Sequence, residues 1–217
     1  MFTGIVSTTG ILRERVETGG DCRLVIESGL DSLRRAKPGD SICVSGACLT
    51  MLDPGPAGFS ADVSQETLSL TTLGRLAVGQ RVNLEPALGL EDPLGGHLVT
   101  GHVDGLATLL ERRPDGRAER FDFEVPDALA KYVARKGSVC LDGVSLTVNA
   151  VEHNRFSVCL IPHTLEVTTL GSLRPGDPVN LEVDLVARYV ERLLGAEDTG
   201  PDDVTGHKRP QASTEGR

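Results

Sequence analysis

Two short phrases in this chain carry different reactive groups in the same setting. SGACLT at 45–50 holds Cys48, and DGVSLT at 142–147 holds Ser145 at the matching place. A thiol or a hydroxyl at such a position can act as a nucleophile if a base and a binding surface are supplied. The two phrases are 97 residues apart, and so are FTGIV and VTGHV (2–6, 99–103), the stretches ending TTLG (59–74, 156–171) and VNLE (82–85, 179–182). About a third of positions in residues 1–87 are identical at this one spacing. A register held over a whole half marks a tandem duplication.

A duplicated chain contains its own control. Residues alike in both copies serve the fold, whereas reactive residues found in one copy are candidates for chemistry. Cys48 corresponds to Ser145, Ile5 to His102, Gly39 to Lys136, Ser45 to Asp142, Asp62 to Cys159 and Ala87 to Asp184. One copy thus offers a thiol, and the other an imidazole, an amine and two carboxylates. Singly, each has an ordinary reading: His102 as a surface residue, Asp184 as a helix cap, Asp142 as a turn former and Lys136 as a solvated helix end. Together they suggest two unlike half-sites. Cys43 and Cys140 match each other within apolar strands and read as inert core thiols.

The elements that must position these groups are mostly strands. RLVIE (23–27), SICV (41–44), CLTML (48–52), FSADV (59–63) and RVNLE (81–85) are short, rich in β-formers and separated by Gly, Pro or Asp turns. That spacing suggests an all-β chain of small barrels or sandwiches. PDALAKYVARKG, with Asp127 as N-cap, and its counterpart LDSLRRAKPG read as short helices. TLSLTTLG and TLEVTTLG read as helical turns closed by Gly74 and Gly171 at C′. DLVARYVERLLG, capped by Asp184 and stopped by Gly195, is an amphipathic helix with apolar residues at 185, 186, 189, 190, 193 and 194. It packs either on a neighbouring subunit or back on its own barrel.

The net charge of −9 over 217 residues, scattered Lys and Arg, and absence of Trp disfavour a nucleic-acid binder. Five cysteines without CxxC spacing argue against a disulfide framework and a zinc site, and no metal is expected. The chain has no apolar run long enough for a membrane span. MFTGIVSTTG lacks the regions of a signal peptide, so a cytoplasmic location is expected. Residues 196–217 have few apolar side chains and are expected to be a disordered tail.

MFTGIV, SGACLT, QETL followed by TTLG, GGHLVTGHVDG, DGVSLTV and RFSVCLIPHTLE, in this order from Met1 to about Leu194, resemble the riboflavin synthase family of the alpha-chain type. The resemblance implies a tandem pair of similar six-stranded Greek-key β-barrels, spanning 1–96 and 97–184, followed by an oligomerisation helix over 185–195. It implies a homotrimer in which the first barrel of one subunit meets the second barrel of its neighbour. The implied reaction is the dismutation of two 6,7-dimethyl-8-ribityllumazine molecules to riboflavin and 5-amino-6-ribitylaminouracil, without metal or cofactor. Association with lumazine synthase, which makes the substrate, is a further partnership that it raises.

Family contact segments fall on Gly4, Ile5 and Val6; Cys48, Leu49 and Thr50; and Asp62, Val63, Ser64, Gln65, Glu66 and Thr67. In the second copy they fall on Gly101, His102 and Val103; Lys136; Ser145, Leu146 and Thr147; and Ile161, Pro162, His163, Thr164, Leu165 and Glu166. Residues linked to catalysis in the family match Ser41, Cys48, His102, Asp142 and Asp184, and Phe2 near the binding segment is also kept. Proton abstraction from the lumazine C7 methyl suits an imidazole, so His102 is the candidate base. Cys48 or Ser41 could add to, or position a nucleophile on, the partner ring, and Asp142 and Asp184 could orient groups or carry protons. The alternative within the superfamily is a non-catalytic lumazine- or flavin-binding antenna protein. A flavin reductase barrel would need a nicotinamide-binding domain, for which there is neither room nor a Gly-rich fingerprint.

Overall fold

A computed structural model describes residues 1–195. The segment 196–217, for which disorder was expected, lies outside the described residues.

The first copy contributes β1 (Thr8–Thr18), β2 (Asp21–Glu27), β3 (Ser41–Val44), β4 (Ala47–Thr50), β5 (Gly58–Val63) and β6 (Arg81–Pro86). The second contributes β7 (Gly105–Asp115), β8 (Ala118–Glu124), β9 (Ser138–Leu141), β10 (Val144–Glu152), β11 (Arg155–Leu160) and β12 (Pro178–Val183). The strand order is β4-β3-β6-β1-β2-β5 in the first sheet and β10-β11-β8-β7-β12-β9 around the second, which closes as a barrel. The orders are the same once the copies are aligned. The seam between β4 and β5 is carried by one bond, Leu52 N–H to Ser60 O at 2.9 Å. β4 stops at Thr50 because Asp53-Pro54-Gly55-Pro56 follows, and proline cannot donate to a ladder. The matching stretch of β10 runs on through Glu152 and zips against β11.

Strands β1 and β7 were not legible as strands. Each pairs antiparallel with its hairpin partner but slips register, between Leu12 and Glu14 in one and Leu109 and Glu111 in the other. The bulge breaks the alternation by which strands are read.

Inward residues form two cores. Leu24, Ile26 and Phe59 in the first correspond to Phe121, Phe123 and Phe156 in the second, with Phe123 and Phe156 stacked at 5.7 Å. Phe2, Cys43, Val99 and Cys140 form a third cluster. Phe2 and Val99 exchange backbone bonds of 2.7 and 3.1 Å, and they are themselves repeat equivalents. The copies are therefore related by a pseudo-two-fold axis through this pair. The hairpin turns Ser45-Gly46 and Asp142-Gly143 meet back to back on the axis, all four residues having positive φ as a type I′ turn requires.

The short helices depart from the sequence reading. The Asp31–Arg34 segment is a single 3-10 turn without a side-chain cap. Helix α2 (Asp127–Ala130) starts from Pro126, so Asp127 sits in its first turn and does not cap it. Helices α1 (Gln65–Leu70) and α3 (Pro162–Val167) end at Thr71 and Thr168, each followed by a 3-10 turn. Gly74 and Gly171 lie inside those turns and do not occupy C′. They are needed because a Cβ there would strike the carbonyl oxygen of Leu68 or Leu165.

Helix α4 (Leu185–Leu194) is capped by Asp184, whose Oδ1 accepts Val186 N–H at 3.0 Å. It turns its polar side to its own chain, through Arg188 to Asp104 and through Glu191 to Lys131 and Tyr132. Val186, Tyr189, Val190, Leu193 and Leu194 are left exposed. Among the described residues no helix is long and apolar enough to cross a membrane.

Candidate functional site

In the β3–β4 hairpin, Ile42, Val44, Ala47 and Leu49 point into the first core. Alternation then puts Ser41, Cys43, Cys48 and Thr50 on the outer face, with Ser41 opposite Thr50 and Cys43 opposite Cys48. The β9–β10 hairpin does the same with Ser138, Cys140, Ser145 and Thr147. Cys43 and Cys140 are shut between the barrels, and burial pushes both thiols well above their ordinary range. All five cysteines are free.

What covers each outer face comes from the other copy. Cys48 N–H donates to Gly101 O at 2.8 Å, and Ser145 N–H donates to Gly4 O at 2.8 Å. Both glycines have positive φ, and a Cβ on either would lie 2.6 Å from the Cβ of the residue it faces. Val103 packs on the first core and Val6 on the second. The loop bearing His102 thus belongs with Cys48, although its sequence belongs to the second repeat. Each loop is anchored by a buried carboxylate. Glu182 accepts from Thr100 N, Thr100 Oγ1 and Gly101 N at 2.7, 2.7 and 2.9 Å, and Glu85 holds Thr3 and Gly4 likewise. Burial raises both carboxyls, partly offset by these donors.

The first half-site is a cavity of about 280 Å³ lined by Cys48, Gly101, His102 and Val103, with Ser64, Glu66, Thr67, Leu70 and Thr71 of the α1 region. Ser64 caps α1 by accepting Thr67 N–H at 3.3 Å. Its counterpart Ile161 cannot, and Pro162 begins α3 instead. Asp62 lies outside that lining and is clamped by Arg23 at 2.7 and 2.9 Å, which holds its carboxyl below the usual range. Leu49 and Val63 are core side chains, so only their backbones are available to a ligand. Gln65 is exposed and donates its N–H to Asp21 at 3.0 Å.

The second half-site gathers Ser145 and Thr147 beneath Gly4–Val6, with Leu146 and Leu165 packed on the second core. Ile161, Pro162, His163 and Glu166 are exposed and Thr164 half-buried along α3. Lys136 N–H donates to Val148 O at 2.8 Å, so its side chain starts beside Thr147. It holds φ +68, a conformation unfavourable for lysine, where the first copy has Gly39 at φ +99.

One participant was missed in the sequence. His97 Nδ1 lies 2.7 Å from Ser145 Oγ, and its Nε2 is buried with no partner among the described residues. Burial lowers the imidazole's pKa, opposed by the nearby charge of Asp184. His97 precedes the counterpart of Met1, so comparing the copies could not reveal it; its place in GGHLVTGH was the available signal.

The proposed catalytic residues are not all brought together. Cys48 and His102 share one cavity, and Ser41 sits further along the same hairpin face, beside a different hollow with Gly39 and Met51. Asp184 caps α4 and lies close enough to His97 for its charge to act on that imidazole. Asp142 is buried on the axis itself, its Oδ1 accepting Asn180 N–H at 2.8 Å, and burial raises its pKa to about 7. Asn83 and Asn180 bond across the axis to Asp142 O and Ser45 O, and to Thr169 N and Thr72 N.

Between Cys48 and Ser145 run two backbone segments, 99–101 and 2–4. Three spacings of roughly 4.8 Å put the two faces about 14 Å apart within one chain.

Two related barrels, each with its outer hairpin face covered by a loop of the other copy and with unlike side chains on the two faces, define a duplicated double-barrel protein. The chain belongs to the lumazine binding domain family, which it matches over residues 3–87 and again over 100–184. It is 48% identical over 198 residues to the riboflavin synthase of Mycobacterium tuberculosis, covering 89% of this chain and 98% of that one. It is 44% identical over 194 residues to the riboflavin synthase of Photobacterium phosphoreum, covering 89% of each. LumP solved with 6,7-dimethyl-8-(1'-D-ribityl) lumazine superposes at a TM-score of 0.76 with 25% identity, over 84% of this chain and 99% of that one. LumP with riboflavin gives 0.77 and 27% over the same shares.

Proposed function

We propose that this chain is an enzyme that dismutates two molecules of 6,7-dimethyl-8-ribityllumazine to riboflavin and 5-amino-6-ribitylaminouracil. The observation that carries this reading is the packing of the His102 loop on Cys48, which puts an imidazole and a thiol over one family pocket. The other face has Ser145 with His97 at 2.7 Å, and Lys136 on the turn bonded to Val148. A pair of equal binders would need no such difference. In this reading the barrels are units 1–96 and 97–184, with 185–195 as an assembly helix. His102 takes the proton from the C7 methyl of one lumazine, and the resulting carbanion attacks the other ring, held by the unlike pocket. Most of the acceleration is the entropy saved by holding the two rings together.

Reacting atoms must come within about 3.5 Å, far less than the spacing of the two faces in one chain. In this reading a first half-site meets the second half-site of another copy. The outward apolar side of α4 supports assembly, and a homotrimer is the form we propose. Free thiols in all five cysteines fit the cytoplasm as its location.

The test is to mix the protein with 6,7-dimethyl-8-ribityllumazine, without added metal or cofactor, and follow riboflavin absorbance. One riboflavin formed per two lumazines lost is expected. Tight binding with lumazine fluorescence and no riboflavin would place the chain with non-catalytic lumazine binders; LumP is solved with that lumazine bound.

A further inference from the structure

The two covering loops are anchored alike by Glu85 and Glu182, but the His102 loop has a second restraint. Arg188 of α4 donates from one Nη2 to His102 O and to Asp104 Oδ2, both at 2.8 Å. The same Asp104 oxygen accepts Val183 N–H at 2.8 Å, and Asp104 N–H donates to Leu181 O at 2.8 Å. Asp104 is therefore fixed to β12, and Arg188 ties the carbonyl of His102 to that fixed point. The pair is sheltered, with side-chain exposures of 34% for Arg188 and 16% for Asp104. In such surroundings a charge-assisted bond resists opening better than it would at an open surface.

The repeat supplies the control. Asp104 corresponds to Ser7, and Arg188 to Glu91, so the loop bearing Ile5 has no such clamp. The added restraint coincides with the loop that carries the imidazole. His102 itself is exposed, and its backbone N–H is held only by Thr100 Oγ1 at 3.3 Å. Without Arg188, His102 would be held only through its neighbours, Gly101 bonded to Cys48 and Glu182 and Val103 packed on the first core.

We infer that Arg188 is a positioning residue for the reaction, fixing the His102 loop over Cys48 and thereby coupling the placement of α4 to the competence of the first half-site. This rests on the function proposed above. Arg188 lies on the inward side of α4, away from Tyr189, Val190 and Leu193, so replacing it leaves the exposed apolar side intact. Both bonds come from one nitrogen, so a lysine ammonium with three N–H groups keeps part of the clamp, from a shorter side chain.

The experiment compares the parent chain with Arg188→Ala and Arg188→Lys. It measures kcat and KM for 6,7-dimethyl-8-ribityllumazine, assembly mass by sedimentation, and backbone hydrogen exchange across 100–104. Arg188→Ala should lower kcat by about ten- to a hundredfold, the scale of a misplaced catalytic group, while KM and assembly mass stay near the parent values. Exchange at 101–103 should rise in step, and Arg188→Lys should recover part of both. Activity within about twofold of the parent with unchanged exchange would overturn the inference. A loss of activity that follows dissociation of the assembly would also overturn it, by making Arg188 a support of the oligomer alone. If the parent forms no riboflavin, the functional reading fails with it as a positioning role in that reaction, but exchange on the resting protein still decides whether the clamp exists. If Arg188→Ala does not fold, Arg188→Lys and Asp104→Asn carry the same comparison.

Discussion

Residues 3–7 and 100–104 are repeats of one loop, each anchored by a glutamate and each laid over the outer face of the opposite barrel. They differ in what they deliver. The first brings Ile5 toward a serine, with the 95–97 linker and His97 alongside, and the second brings His102 toward a cysteine. The symmetric part of the molecule holds backbone in place, and the departures from symmetry are chemical. This is the arrangement required if one ligand is to be bound twice and treated differently each time. The crossing of the loops also makes each pocket a product of both copies, so neither barrel alone could carry its half of the task.

The largest effect should follow from His102→Gln, which keeps a hydrogen-bonding side chain and removes the base. Turnover should fall by about 10²–10⁴-fold with lumazine affinity nearly kept. A fall of less than about tenfold would move the proton to another group, His97 being the first to examine.

The next comparison is between the two hairpin turns. Ser45 does not titrate, whereas burial lifts Asp142 from an ordinary 3.8 to about 7. Its folded-state pKa is raised, so its favourable contribution is complete below the unfolded value and is lost as pH rises toward 7. The part of the parent's stability that Asp142 contributes should decline from about pH 4 to 7 by an amount of order 4 kcal/mol, and level off above that. Asp142→Asn, which suits the type I′ turn and keeps an oxygen for Asn180 N–H, should flatten that slope in denaturant titrations. An unchanged slope would assign the pH dependence elsewhere. Turnover of the same variant separates a chemical role for Asp142 from a structural one.

Gly4→Ala and Gly101→Ala should each cost about 1–3 kcal/mol, since both put a Cβ into positive-φ backbone against the facing strand. Equal losses of stability with unequal losses of activity would locate the more demanding half-site. The smallest effect is expected at Lys136. Replacing it with Gly, as the first copy has, should raise stability by less than about 1 kcal/mol while weakening lumazine binding. A gain in stability without loss of binding would leave the strained lysine unexplained.

Much of this was legible in the sequence, because a 97-residue repeat reveals which positions are equivalent. The first-copy strands read near 23–27, 41–44, 48–52, 59–63 and 81–85, the Asp184 cap and the burial of Cys43 with Cys140 all followed from local pattern. Other features did not. Equivalence does not say which copy a segment packs on, so the exchange of the Gly4 and Gly101 loops was invisible. A residue outside the repeat has no counterpart, which hid His97. Glycine after a helical run resembles a C′ stop, whereas Gly74 and Gly171 are required by the close approach of a carbonyl, the helices having already ended at Thr71 and Thr168. Arg188 read as one polar residue on an amphipathic helix, and only the fold turns it toward His102.

In the proposed function, one reaction needs a first half-site and a second half-site from different copies of the chain. The most direct measurement uses two damaged chains made together in one cell: His102→Gln, impaired in the first half-site, and Thr147→Trp, which fills the second from an exposed strand position. Each alone should be nearly inactive. The co-assembled mixture should recover a substantial part of the parent's riboflavin formation, because some contacts pair an intact first half-site with an intact second. A mixture no more active than the two chains measured separately would contradict the account.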